Sequence, residues 1–374
     1  MPVAKVLVIG GGISGSLTAV ALAQRGVWVE LVEIVPDWHG VGHGITIQGN
    51  ALRAFAAAGL ADAVIAGGFP FNKLRLRRAD GSLMVEIPTP RTGGPHLPAT
   101  MGSLRSTLQE TLRKAVYDAG VQVRLGLTAE RFDQSYDRVD VAFSDGSSGS
   151  YALVVGADGI RSHTRRLLGI QTVPKPSGMS IWRVVADRPA AMDCSELYYG
   201  GPRYKAGYSP ISESKCYAFV LDEPLDPASF GDRPGAAVMR ERSQGYGGTW
   251  GEIRETIGDD LAVDYRWIES LLVDDPWYRG RVIIIGDAAH ACPPLIAQGA
   301  AMCAEDAIVL AELVTGEGPV EEALATFMRR RWPRVSLVVE RSLQLVEWEI
   351  HPDTPGADPA RIMSETLAAL EAPP

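Results

Sequence analysis

Three stretches, far apart in a chain of 374 residues, pair glycine with an acid or a strand end in ways that suit a phosphorylated ligand. The first is Gly10-Gly11-Gly12-Ile13-Ser14-Gly15. In a G-x-G-x-x-G between strand and helix, the first glycine permits a tight turn, the second lets the backbone approach a pyrophosphate, and the third lets helix pack on strand. The helix start adds free N–H groups and the positive end of a dipole. Glu33 closes the next apolar run, where a carboxylate can accept hydrogen bonds from a ribose; the pattern does not by itself separate NAD from FAD. The second stretch, Gly156-Ala157-Asp158-Gly159-Ile160-Arg161-Ser162, follows a strand-like run, and a strand-terminating turn accounts for it equally well. The third runs from Val282-Ile283-Ile284-Ile285 into Gly286-Asp287-Ala288-Ala289-His290-Ala291-Cys292-Pro293-Pro294. It puts a carboxylate at the C-terminal end of a buried strand, where open α/β sheets bind ligands.

The elements that must carry these loops are legible around them. Lys5 to Ile9 is a short apolar run rich in β-branched residues. Leu17, Val20, Ala21 and Ala23 then space a helix that stops at Gly26, and Val27 to Glu33 returns as a strand, making a parallel βαβ unit. Ala51 to Ala66 reads as helix, and Phe69 to Glu86 as a hairpin turning at Asp80-Gly81. After a Pro/Gly-rich loop from Pro88 to Pro98, a helix is expected from Ser103, with Leu104, Leu108, Leu112 and Val116 four apart. Val121 to Leu125, Val139 to Phe143 and Tyr151 to Val155 read as strands, the last two joined through Asp145-Gly146. Lys175 to Trp267 reads as β-rich, Met302 to Thr315 as helix, and Pro319 to Ile350 as helix around the basic cluster Arg329-Arg330-Arg331. The expected architecture is α/β: a Rossmann-like domain from 1–70, 99–174 and 276–318, interleaved with a mostly antiparallel β-sheet substrate domain from 71–98 and 175–275. C-terminal helices occupy 319–374.

With 46% hydrophobic and 22% charged residues, the chain can bury a substantial core, which excludes disorder and collagen-like folds. The net charge of −9 and the absence of a long basic run argue against a nucleic-acid partner. The four cysteines, Cys194, Cys216, Cys292 and Cys303, form no C-x-x-C pair, so neither a disulfide framework nor a zinc site is indicated, and a cytoplasmic setting is expected. No signal peptide or twenty-residue apolar stretch is seen, so no membrane anchor is expected.

In order and spacing, the three loops resemble those of the class A flavoprotein monooxygenases, the aromatic hydroxylases of the para-hydroxybenzoate hydroxylase fold. By motif the chain is most similar to the single-component salicylate hydroxylase and 6-hydroxynicotinate 3-monooxygenase type. Asp158, Gly159 and Arg161 match the family's G-A-D-G-x-x-S segment, and Asp287 matches the aspartate on the flavin ribityl chain. Pro294 matches a proline lining the flavin face. Gly299-Ala300-Ala301, after Gln298, resembles the loop offering N–H groups to the isoalloxazine edge, and Arg105 an arginine leaning on FAD. The resemblance implies FAD as cofactor, with NADH or NADPH as co-substrate. It also implies O2 addition at flavin C4a and transfer of OH from the hydroperoxide to a small phenolic or N-heteroaromatic substrate.

It further implies a catalytic residue on the β-sheet: Tyr208 occupies a place similar to a pocket tyrosine of those enzymes. His43 lies in a loop that passes the flavin in relatives, some of which carry a histidine three residues later, where this chain has Thr46. As a site residue, His43 would be poised by a pKa near 6.5. Arg183 and Arg203 are candidates for an acidic substrate, against the plainer reading of ion-paired arginines. His290 reads as supporting rather than chemical, and Cys292 and Cys303 as small buried hydrophobes. An epoxidase, an oxidative decarboxylase, a reductase and a non-catalytic FAD-bearing ligand-binding protein are the competing functions. A monomer or homodimer is expected.

Overall fold

Continuous apolar runs form a parallel sheet because both of its faces are covered. In the computed structural model, which describes residues 3–40, 42–274 and 276–374, this sheet has six strands. Met1, Pro2, Val41 of the loop before His43, and Asp275 lie outside the described residues. The strand order is Tyr278–Arg279, Val282–Ile284, Leu153–Gly156, Lys5–Ile9, Trp28–Glu33 and Gln122–Leu125. Only Tyr278–Arg279 at one edge runs antiparallel. Side chains alternate across the sheet. Val6, Val8, Val29 and Leu31 meet the helices Ile13–Ala23, Arg105–Asp118 and Gly299–Val314. Leu7, Ile9, Val32 and Val154 meet a three-stranded antiparallel sheet of Ala129–Gln134, Val139–Phe143 and Ser148–Tyr151.

The second large sheet has eight strands, almost all antiparallel, with the 13-residue Lys175–Asp187 strand near its middle and Leu83–Pro88 at its edge. One of its faces is a closed core in which Trp182, Tyr198, Tyr208 and Val220 pack against Val238, Met239, Trp250 and Ile253. Those last four come from helices Gly235–Arg242 and Gly248–Thr256, which were not expected in the β-rich stretch. The other face looks toward the first sheet. A small sheet of Gly44–Gln48, Thr100–Leu104 and Gly68–Phe71 bridges the two.

Elsewhere the structure refines the expected boundaries. The predicted helix over 51–66 is two helices, Gly49–Ala57 and Ala61–Ala66, parted at Gly59 with φ +69°. The predicted strand Tyr151–Val155 breaks at Ala152, whose N–H donates to Lys5 O, because Leu153 to Val155 belong in the central sheet while Tyr151 closes the hairpin through Asp145-Gly146.

The 31-residue helix Val320–Ile350 packs against the helix Gly299–Val314 and the eight-stranded sheet despite Pro333 inside it, and the final helix, Pro359–Glu371, folds back on it. Asp358 caps the final helix by accepting from Arg361 N, with Pro359 in its first turn. The carbonyls at its far end, Ala369 to Ala372, take hydrogen bonds from Arg53 and Arg334. Arg331 of the long helix is fully buried and donates to both Glu305 and Asp306 of the helix Gly299–Val314. Arg334 also binds Glu305 and His290 binds Asp306, so loss of Arg331 would leave both buried carboxylates short of one partner. Arg331→Ala is therefore expected to lower stability by about 3–5 kcal/mol, read from the shift of the urea unfolding midpoint at unchanged slope.

Candidate functional site

The three glycine loops meet at the C-terminal ends of adjacent parallel strands. Gly10 N donates to Val32 O at 2.8 Å, Ala157 N to Ile9 O at 2.7 Å, and Ile285 N to Gly156 O at 2.9 Å. They close on one another with no space to spare. A Cβ on Gly10 (φ +102°) would stand 2.5 Å from Ala157 O, one on Gly15 1.9 Å from Gly10 O, and one on Gly286 (φ +58°) 2.0 Å from Ser14 Oγ. Gly12, like Gly159 of the second loop, is open: a Cβ there would meet nothing within 4 Å. It begins the helix Ile13–Ala23 with no side-chain cap, so the N–H groups of the first turn are free for an anion. Ser14 Oγ is buried without a hydrogen-bond partner beside them.

This opening leads into a cavity of about 1730 Å3, lined on this side by Gly12, Ile13, Ser14, Glu33, Arg105 and Asp287 among others. Glu33 accepts from Gly11 N at 2.7 Å and Val35 N at 2.9 Å, which fixes its carboxylate at the cavity edge. Trp38 Nε1 and Gln109 Nε2 both donate to Gly11 O, at 3.0 and 2.7 Å, and also line the cavity. Neither residue belongs to a recognisable motif, and only the fold reveals them. Arg105 opens its helix with its backbone N–H on His43 O. Asp287 is open to the cavity yet ringed by protein, which pushes its pKa up, and its hydrogen-bonded neighbour is the Cys303 thiol at 3.6 Å. A carboxylate so placed suits the hydroxyl donors of a ribityl chain. Pro294, Gly299 and Ala300 line the cavity beyond it, while Ala301 is buried behind them.

Asp158 is placed differently from its expected role. Its carboxylate accepts from Ser162 Oγ (2.5 Å), Thr164 N (2.8 Å) and Thr164 Oγ1 (2.9 Å), so it shapes the start of the short helix His163–Leu167, and Ala157 and Gly159 face the cavity instead. Arg165, without a sequence signal, ties this loop to the third by donating to Ile160 O and Ala288 O. His290 is buried, 2.6 Å from Asp306, whose carboxylate also takes Gly286 N at 2.9 Å.

Across the cavity stands the open face of the eight-stranded sheet. Strand alternation decides which residues reach it. Lys205 and Ser209 line the cavity, so Tyr208 between them points the other way, into the closed core beside Tyr198. On the next strand the same alternation delivers Tyr217 and Phe219 to the cavity. Tyr217 shares the cavity with Tyr199 and Tyr204, and its phenol pKa is raised by burial and moderated by the nearby Arg183 and Arg105 guanidiniums.

His43 likewise does not line the cavity. It sits 3.7 Å from Asp264, its pKa lowered first by burial, with Asp264 opposing and Arg183, Arg266 and Arg105 reinforcing the shift, so it stays neutral at pH 7. Thr46, three residues on, faces the cavity. Arg183 is bound to Asp264 at 2.5 Å, and Arg203 lies 3.5 Å from Asp222. Both arginines are ion-paired.

The 2-heptyl-3-hydroxy-4(1H)-quinolone synthase of Pseudomonas aeruginosa is 31% identical over 356 residues, covering 92% of this chain and 90% of that enzyme. The aurachin C monooxygenase/isomerase of Stigmatella aurantiaca is 31% identical, with the same two coverages. Among solved structures, Klebsiella pneumoniae HpxO complexed with FAD and uric acid superposes with a TM-score of 0.82 at 25% identity, covering 98% of this chain and 92% of that one.

Two measurements check the placement of these side chains. Asp287→Ala should weaken FAD affinity by roughly 10- to 150-fold, the worth of a hydrogen bond to a charged group. In the unsubstituted protein, affinity should rise as pH climbs through the elevated Asp287 pKa, because hydroxyl donors favour the ionised carboxylate, and Asp287→Asn should abolish that dependence. Fluorescence titration of the apoprotein with FAD reads both. Tyr208→Phe, on the face of the sheet turned away from the cavity, should leave kcat nearly unchanged; steady-state assay decides it.

A family model described as FAD binding domain matches residues 3–217 and 254–342, which include all three glycine loops. This chain belongs to that family of FAD-dependent monooxygenases.

Proposed function

We propose that the chain hydroxylates a phenolic or N-heteroaromatic small molecule, with FAD held by the three loops and the substrate held against the open face of the eight-stranded sheet. The observation that carries this reading is the single cavity joining the loops to that sheet face, with Asp287 open at the junction. In this division, 1–70, 99–174 and 276–318 hold the cofactor, and 71–98 and 175–275 wall the substrate. Of the named relatives, one is a synthase of a 3-hydroxyquinolone, one is an aurachin C monooxygenase/isomerase, and the solved structure holds uric acid beside FAD.

FAD, when bound, accepts reducing equivalents from NADH or NADPH and delivers one atom of O2 to the aromatic ring. The chain's own groups do the positioning. N–H groups of Gly12 to Ser14 would hold the pyrophosphate, Glu33 the ribose, and Asp287 the ribityl hydroxyls. The first turn of Gly299–Val314, with no side-chain cap, would turn its free N–H groups and positive dipole end to the isoalloxazine edge and stabilise negative charge there. Tyr217 Oη, beside Arg183, is the group we assign to hold the substrate hydroxyl. The sheet face and the C-terminal helices exclude water from the reacting ring.

Four free cysteines fit a reducing compartment, and the cytoplasm is the setting we assign. No helix among the described residues is long and apolar enough to cross a membrane.

A screen of phenols, hydroxypyridines and quinolones should find compounds that stimulate NADH or NADPH consumption and emerge heavier by one oxygen atom in mass spectrometry. Bound flavin with no compound-stimulated consumption would mark a ligand-binding flavoprotein instead. Tyr217→Phe should lower kcat at least tenfold with FAD content unchanged.

A further inference from the structure

The geometry points to a substrate that is a neutral aromatic ring carrying an aliphatic chain of several carbons, with small aromatic acids excluded. This deepens, and rests on, the hydroxylase reading above. The first observation is charge. Arg183 is paired with Asp264, Lys205 with Glu349 of the long C-terminal helix, and Arg203 lies 3.5 Å from an Asp222 already held through two nitrogens by Arg242. The fourth cavity-lining arginine or lysine, Arg105, stands on the cofactor side. Glu223 and Glu269 also line the cavity, each held by an arginine, Arg242 and Arg161 respectively. A substrate carboxylate would therefore find the cations on the substrate side already paired, and would lose its hydration without gaining a partner.

The second observation is the wall away from the cofactor. On one side are Leu74, Leu76 and Ile87 of the edge hairpin; on the other are Trp348, Met363 and Leu367 of the two C-terminal helices. All six are apolar and all line the same cavity, whose volume of about 1730 Å3 has to hold FAD as well as the substrate. The third is the mouth. Met84 and Ile87 line the cavity and yet are 49% and 40% exposed, so the trough opens to solvent along the edge strand, where Leu83 and Val85 are exposed as well. A monomer seldom leaves four apolar side chains on one short strand without a ligand or partner for them. Here two of the four belong to the cavity wall, which assigns the strand to the ligand. An aliphatic chain running outward from the ring, between hairpin and final helix, would cover this surface.

Binding is measured on the FAD-loaded enzyme through the perturbation of flavin absorbance. One series is 2-alkyl-4(1H)-quinolones and 4-alkylphenols with methyl, butyl, heptyl and nonyl chains; the other is salicylate and 4-hydroxybenzoate. Along the alkyl series Kd should tighten by about two- to fourfold per methylene until the chain outgrows the trough, and the benzoates should bind more weakly than the heptyl compounds by 100-fold or more. Met363→Asp and the solvent-open Met84→Asp, which does not threaten folding, should each flatten the chain-length dependence. A Kd that is flat along both alkyl series, or benzoates that bind as tightly as the heptyl compounds, overturns the proposal. Chain-length-dependent binding with no hydroxylated product would uphold the trough and count against the hydroxylase reading alone, so the two failures are distinguishable.

Discussion

The structure depends on a steric constraint at one point: three strand ends, from residues 9, 156 and 285, approach so closely that the residues between them can carry no side chain. Gly10 against Ala157, Gly15 against Gly10, and Gly286 against Ser14 leave gaps of 1.9 to 2.5 Å for an atom that is not there. Packing of this density transmits position. It is why the free N–H groups near Gly12 and the carboxylate of Asp287 can be fixed relative to one another although they lie in distant parts of the chain. The buried Asp306, which takes Gly286 N, His290 and Arg331 together, holds the third loop from behind. Asp287 is left free to serve the ligand while its neighbour in the network does the bracing.

The cofactor side was legible because its chemistry is mostly backbone chemistry, and backbone demands show as glycine. G-x-G-x-x-G, the acid at Glu33 and the Gly-Asp after a buried run each announce a conformational need that few other residues meet. Asp158 shows the limit of that logic. Its motif was recognised, but nothing in a linear pattern says whether a carboxylate turns outward to a ligand or backward onto Ser162 and Thr164. Trp38, Gln109 and Arg165 carry no such mark, because any of many side chains can donate to a carbonyl, and only the fold says which carbonyl is near.

The substrate side was harder for a different reason. Its residues are ordinary strand residues, and what decides their role is parity. Tyr208 and Tyr217 have the same chemistry on neighbouring strands of the same sheet, and a shift of one position would exchange their faces. Lys205, Ser209, Phe219 and Leu221 fix the parity once the sheet is known, but the sequence offers no counter for it. The helices 235–242 and 248–256 escaped notice for a related reason: they are short and interrupted by glycine, and they exist to cover Trp182 and Tyr198 rather than from strong propensity of their own.

The strand order has a consequence for biosynthesis. The third strand of the cofactor cradle lies between residues 282 and 284, and the arginine that neutralises its supporting acids is residue 331. As the chain leaves the ribosome, the flank of the sheet at Leu153–Gly156 stays unpaired until 282–284 has been made. Pairing across such long separations is slow and leaves strand edges exposed in the interval. The nascent chain can therefore acquire a complete nucleotide bed only near the end of its synthesis, which ties flavin capture to release of the nearly finished polypeptide.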